Sequence, residues 1–174
     1  MDEMPEKILM LALKSEEVLE VYLEENNQLK FLAQYPFTAF SGKLGPKLKE
    51  GDRQIPEGIY KIEYLNPNSK FHLSMKINYP NKFDQKMAKR DNRTGLGGDI
   101  FIHGRDQSIG CIAIGDEAIE ELYLLAEMTL KRGIKVIICP KDFRKNSSRP
   151  KISTINWEDK LYNLLEEEIN FLFP

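Results

Sequence analysis

The sequence is poor in the residues that bind metals or cross-link chains. Its 174 residues include two cysteines, Cys111 and Cys139, and two histidines, His72 and His103. Two cysteines imply no disulfide framework. A closed zinc site takes four Cys or His ligands at close spacings, and this chain has none; no metal and no cofactor are expected. Charge of one sign is also lacking. A net charge of −2 offers no basic surface to attract nucleic acid or an anionic membrane. No apolar run approaches the ~18 residues of a membrane span. The start, Met1-Asp2-Glu3-Met4-Pro5-Glu6-Lys7, is acidic where a secretory signal is basic and then apolar. The expectation is either a cytoplasmic protein or one whose signal was removed before this numbering begins.

What is present describes an ordinary globular domain, 41% hydrophobic and 30% charged, with no repeat, low-complexity tract or linker. The length fits a single domain over 1–174, able to bury a core without cross-links. Strands are expected at Lys7–Lys14, Val18–Glu24 and Leu29–Tyr35, an antiparallel meander within an N-terminal region 7–40. A loop punctuated by Gly45-Pro46, Gly51-Asp52 and Pro56-Glu57-Gly58 precedes an extended run at Ile59–Tyr64. From Phe71 to Ile77 the pattern alternates, with Phe71, Leu73, Met75 and Ile77 on one face and His72, Ser74 and Lys76 on the other. Asn78 to Gly98 reads as a polar stretch, and Asp99–His103 as a short apolar strand. Asp116 is the expected N-cap of a helix carrying Ile119, Leu122, Tyr123, Ala126 and Leu130 up to Gly133. A strand at Lys135–Cys139 and a C-terminal helix over 156–173 complete an α+β, β-rich chain.

Chemistry concentrates between Gly98 and Ile114. His103 ends an apolar strand, and Cys111 follows eight positions on, behind Ser108-Ile109-Gly110. An adjacent imidazole can take a thiol's proton and leave a stabilising charge, the requirement for a thiol nucleophile near neutral pH. Gly110 permits a tight turn beside the sulfur, and the amides there can face an oxyanion. The alternative is a small buried cysteine with no chemistry; composition and spacing leave both open.

Further matches run in order along the chain: Gly45-Pro46, Glu50-Gly51-Asp52, Ile55-Pro56-Glu57-Gly58-Ile59-Tyr60, Asn66 to Ser74, Ile77-Asn78-Tyr79-Pro80-Asn81, Gly98 to Gly104, and Ser108-Ile109-Gly110-Cys111. From about Gly45 to Phe143 the chain resembles the L,D-transpeptidase (YkuD-type) catalytic domain, and within it the YafK-like murein transpeptidase branch with a short His-to-Cys loop. The resemblance implies a β-sandwich with a helix after the nucleophile and another at the C-terminus. It implies Cys111 as nucleophile, His103 as base, Ser108 and Gly110 as signature residues of the turn, and Gly104 as the residue whose carbonyl orients the base. The implied substrates are peptidoglycan stem peptides, and the implied location is the periplasm or cell envelope. Two departures stand out. Ala113 occupies a position where many relatives carry Arg or Asn, and Ile55 one where Thr is usual.

His72, Tyr79 and Arg105 are candidate substrate contacts. His72 can equally be a structural hydrogen-bonding residue, Tyr79 a corner residue, and Arg105 with Asp106 solvated loop charges. Thr94-Gly95-Leu96-Gly97-Gly98 runs into a strand rather than a helix, which excludes a phosphate loop. Cys139 is expected in the core, and Glu166-Glu167-Glu168 on the solvated face of the last helix. Water in place of an amine acceptor would make the protein a carboxypeptidase or hydrolase. A wall-binding module without catalysis and an effector attacking foreign cell wall are rivals of other classes. No long apolar surface run appears, which favours a monomer.

Overall fold

Alternating burial divides the chain's longest apolar strand between two cores. In the computed structural model, which describes residues 7–146 and 148–174, β1 (Lys7–Leu13) is buried along almost its whole length. The acidic stretch 1–6 lies outside the described residues. Ile8, Met10 and Ala12 face one core, and Leu9, Leu11 and Leu13 the other. Such a continuous apolar run is what a strand covered on both faces requires. β2 (Val18–Glu25) and β3 (Gln28–Pro36) follow antiparallel to it, as the meander reading expects. On its other side β1 pairs in parallel with β8 (Ile134–Cys139), which is divided between the same two cores. Cys139 is fully buried there, and desolvation raises its thiol pKa far out of the reactive range.

β4 (Gly58–Ser69) connects the two halves of the sheet. Its first residues, Gly58–Lys61, pair with β8, and Ile62–Ser69 pair with β5 (His72–Ile77) across two register shifts. β6 (Phe101–His103) and the two-residue β7 (Ile112–Ala113) complete an eight-stranded mixed sheet ordered β3-β2-β1-β8-β4-β5-β6-β7. The expected sandwich is thus one sheet whose two halves share a core. Met10 and Val21 from one half and Met75, Ile102 and Ile112 from the other belong to the same cluster, with Ile119 and Leu122 of α2 (Asp116–Thr129). The opposite face of β1 and β8 is covered by Leu161, Tyr162, Leu165 and Ile169 of α3 (Glu158–Leu172) and by Met87 of α1 (Lys82–Arg90).

Four local expectations change. The polar stretch after Asn78 contains α1, a helix started by a reciprocal capping box. Asn81 Oδ1 accepts from the Asp84 amide, and Asp84 Oδ2 from the Asn81 amide, each at 2.9 Å. Asp116 is not the N-cap of α2: Gly115 holds that place with no side-chain cap, and the Asp116 carboxylate turns to the Arg105 amide. Leu130 belongs to a 3-10 turn, Leu130–Arg132, that follows α2. The Glu166–Glu168 run is less solvated than expected, since Glu166 pairs with Arg149 and Glu168 with Lys135.

Candidate active site

The β6–β7 pair brings the two candidate catalytic residues, His103 and Cys111, to one cavity. Parallel strands usually need a crossover of about a dozen residues or more; here the connection 104–111 is shorter. It turns through two left-handed residues, Arg105 (φ 58°) and Gly110 (φ 120°). The register places Ile102 beside Ile112 and His103 beside Ala113. With side chains alternating along each strand, Phe101, His103, Cys111 and Ala113 share one face. His103 and Cys111 line the same cavity of about 580 Å³, a volume suited to a small-molecule or peptide end.

The base candidate is held tightly. Its Nδ1 lies 2.6 Å from the Gly104 carbonyl oxygen. A carbonyl only accepts, so Nδ1 carries the proton and Nε2 is left with its lone pair. Phe71 covers the imidazole, with ring centroids 4.5 Å apart and planes tilted by 30°. Burial lowers the His103 pKa, and the hydrogen bond to Gly104 partly opposes that shift. His103 is thus a neutral, tautomer-fixed acceptor at neutral pH.

Burial also raises the Cys111 pKa, against smaller opposing effects from the Phe101 backbone and the charge of Lys47. The thiol lies 3.7 Å from the Asp99 carbonyl oxygen. Both groups are therefore uncharged at rest. Such an arrangement suits proton transfer from thiol to imidazole during reaction rather than a preformed ion pair.

Ser108 and Gly110 shape the turn. Ser108 Oγ donates to the Cys111 carbonyl (2.6 Å) and accepts a longer bond from the Gly110 amide (3.3 Å). Gly110 needs its left-handed φ, and a Cβ there would sit 3.1 Å from the Gln54 carbonyl oxygen. Gly104 is equally constrained: a Cβ would meet Asp116 Oδ1 at 2.7 Å and the Phe71 carbonyl oxygen at 2.8 Å.

His72, Tyr79 and Arg105 do not line this cavity. His72, itself left-handed at φ 73°, pairs its Nε2 with Glu120 on α2 at 2.6 Å. Tyr79 is buried, and its hydroxyl donates to the Leu96 carbonyl, bracing the glycine-rich segment that forms one wall. Arg105 is exposed, with its backbone pinned at both ends: its amide donates to Asp116 and its carbonyl accepts from Thr38 Oγ1 at 2.6 Å. Lys76 pairs with Glu63.

The sequence reading missed Lys47, which also lines the cavity. Lys47 is buried and bonded to Asp52 Oδ1 at 2.6 Å, and Asp52 also receives the amides of Leu48, Lys49 and Gln54. Burial pushes the Asp52 carboxyl up, but the lysine and three amides together hold it below its ordinary value. The signal was present in Gly51-Asp52, a turn whose carboxylate can collect neighbouring amides. Among the described residues no group of three His, Cys, Asp or Glu side chains is placed to hold a metal.

The fold and the cavity define the class: an α+β domain with a cysteine and a tautomer-fixed histidine facing one cleft at the edge of a mixed sheet. Residues 8–138 match the L,D-transpeptidase catalytic domain, YkuD, and the chain belongs to that family. It is 32% identical over 155 residues to YafK of Escherichia coli (strain K12), a match spanning 83% of this chain and 60% of YafK; YafK of Escherichia coli O157:H7 matches equally. Among solved structures it is similar to the helical cell shape determining protein Pgp2 from Campylobacter jejuni. There the TM-score is 0.63 at 24% identity over 93% of this chain and 54% of Pgp2. Bd1075 of Bdellovibrio bacteriovorus gives 0.55 at 21% identity over 94% of this chain and 55% of that one. These structural likenesses show the fold. The chain spans about 60% of the length of the curated relatives it matches.

Proposed function

We propose that this chain is a cysteine acyltransferase of the periplasm or cell envelope, acting on peptidoglycan stem peptides as an L,D-transpeptidase. The supporting observation is that Cys111 and a histidine with its Nε2 lone pair available line one cavity. His103 Nε2 takes the proton from Sγ as sulfur adds to the carbonyl between an L-configured centre and a D-residue. The amides of Gly110 and Cys111 serve the oxyanion; the Gly110 amide makes only a long bond at rest, which a charged oxygen can replace. Collapse breaks the C–N bond, and the imidazolium returns its proton to the departing amine. An acceptor amine then attacks the thioester, gives its surplus proton to His103, and releases the thiol.

The same acyl-enzyme resolved by water gives a carboxypeptidase, and product analysis separates the two. Intact-protein mass is measured after incubation with a tetrapeptide-containing muropeptide, for the wild type and Cys111→Ala, with and without an amine acceptor. The expected result is crosslinked or amine-exchanged product from the wild type alone. A shortened tripeptide without exchange reassigns the protein as a carboxypeptidase. Absence of adduct and product from both overturns the substrate class.

A further inference from the structure

We propose that Asp116 is the positioning residue of a three-part relay, acting on His103 through the Gly104–Arg105 peptide group. One planar amide carries both contacts. Its carbonyl oxygen, on Gly104, receives His103 Nδ1 at 2.6 Å, and its N–H, on Arg105, donates to Asp116 Oδ1 at 2.7 Å. An amide that donates to a carboxylate becomes more polarised and a better acceptor at its oxygen, because hydrogen bonds in a chain strengthen one another. The carboxylate thus supports the imidazolium that forms when His103 takes the thiol proton, as a directly bonded aspartate does in a Ser-His-Asp site.

Four further features point the same way. Arg105 sits at φ 58°, where a non-glycine residue is held only by its surroundings. Its amide and carbonyl are fixed separately by Asp116 and Thr38. The space that brings Asp116 to this peptide exists because residue 104 is glycine: a Cβ there would stand 2.7 Å from Asp116 Oδ1. Asp116 would otherwise suit the cap of α2, yet Gly115 takes that position without any side-chain bond. The charged groups around His103 are few. Lys47, Glu50, Lys70 and Asp99 line the same cavity, with the Cys111 thiol, and Glu120 on α2 is occupied by His72.

The relay rests on the Cys111–His103 reading but has a readout of its own. The titration of His103 is followed by NMR, and the rate of Cys111 alkylation by iodoacetamide is measured against pH. The proteins are the wild type, Asp116→Asn, Asp116→Ala and Glu117→Gln, the last removing a neighbouring charge from the same helical turn. Asn keeps an oxygen on the Arg105 amide but removes the charge. The expected result is a His103 titration displaced to lower pH in Asp116→Asn, with slower alkylation near neutrality, because a charged acceptor holds the Arg105 amide more strongly than a neutral one. Asp116→Ala shows a larger effect, and Glu117→Gln leaves both readouts at the wild-type value. A purely structural Asp116 would leave Asp116→Asn unchanged and affect only Ala; that outcome, or equal effects from Glu117→Gln, overturns the relay. If the His103 titration moves as expected while no stem peptide is processed, the relay stands and the substrate reading fails.

Discussion

Gly104 combines three demands in one residue: its amide bonds the Leu73 carbonyl, its carbonyl fixes His103, and its missing side chain admits Asp116 and Ile119. Two of the atoms a Cβ would meet are the Phe71 carbonyl oxygen and a γ-methyl of Ile119, and neither can swing aside. Gly104→Ala is expected to lower stability by about 1–3 kcal/mol, the usual range for overpacking, and to reduce Cys111 alkylation more than a mutation of equal destabilisation in α3. Urea unfolding alongside alkylation rates checks both parts. At the same scale, burial places the His103 pKa below the ordinary imidazole value of about 6.5. As the proposed base, His103 must be neutral to accept the thiol proton, so the acid limb of kcat/KM is expected below that value. A limb above it would mean that His103 is not the titrating base.

Within α1, the capping box has a pH dependence built into it. Asp84 is buried against the Tyr60 hydroxyl, which donates to its Oδ2 at 3.0 Å. Desolvation raises its pKa to about 6, more than the bonds from the Asn81 amide and Tyr60 lower it. The folded state therefore binds this proton more tightly than the unfolded state. The resulting stabilisation is complete below the unfolded value of about 3.9, and is lost as pH rises through about 6. The amount is on the order of 3 kcal/mol. Urea midpoints from pH 4 to 7 should fall less steeply in Asp84→Asn than in the wild type. Parallel slopes would show that another group is responsible. The sequence held the information for this helix in Asn81 and Asp84 at capping-box spacing, but a strongly polar composition, with an apolar stripe of only Phe83, Met87 and Ala88, concealed it.

Across the molecule, one buried ion pair joins the N-terminal strand, the loop 45–57 and the C-terminal helix. Lys14 Nζ, just beyond β1, donates to the carbonyls of Gly45 and Ile55 and to Glu57 Oε1, at 2.8–2.9 Å. Glu57 also receives the Gly45 amide (2.6 Å) and the Tyr162 hydroxyl of α3 (2.8 Å). Both charged side chains have no exposure, and every buried polar side-chain atom among the described residues finds a partner. Burial lowers the Lys14 pKa while Glu57 opposes that shift. Removing one partner leaves the other buried and uncompensated, so Lys14→Met is expected to cost roughly 3–5 kcal/mol. Lys14→Met/Glu57→Gln should recover part of this, because the Tyr162 hydroxyl can turn from donor to acceptor. A double variant no more stable than the single one would show that the cost comes from lost loop anchoring rather than from the unpaired charge.

The sequence by itself determined the strands of the meander and the two longer helices, and it set Cys111 and His103 in one short segment as candidates. These depend on local periodicity and on residues adjacent along the chain. Its resemblance to the L,D-transpeptidase catalytic domain extended that reading to the family. Tertiary structure alone decided that β8 returns in parallel beside β1, that Lys47, held by Asp52, lines the same cavity as Phe71, and that Lys14 meets Glu57 and Tyr162. It also decided that Asp116 turns from its helix to the Arg105 amide, while His72, Tyr79 and Arg105 lie outside the cavity lining. The physical reason is the same throughout. Hydrogen bonds and pairings between distant segments are fixed by where each backbone group finds its partner in the packed chain, and one-dimensional patterning carries no record of that choice.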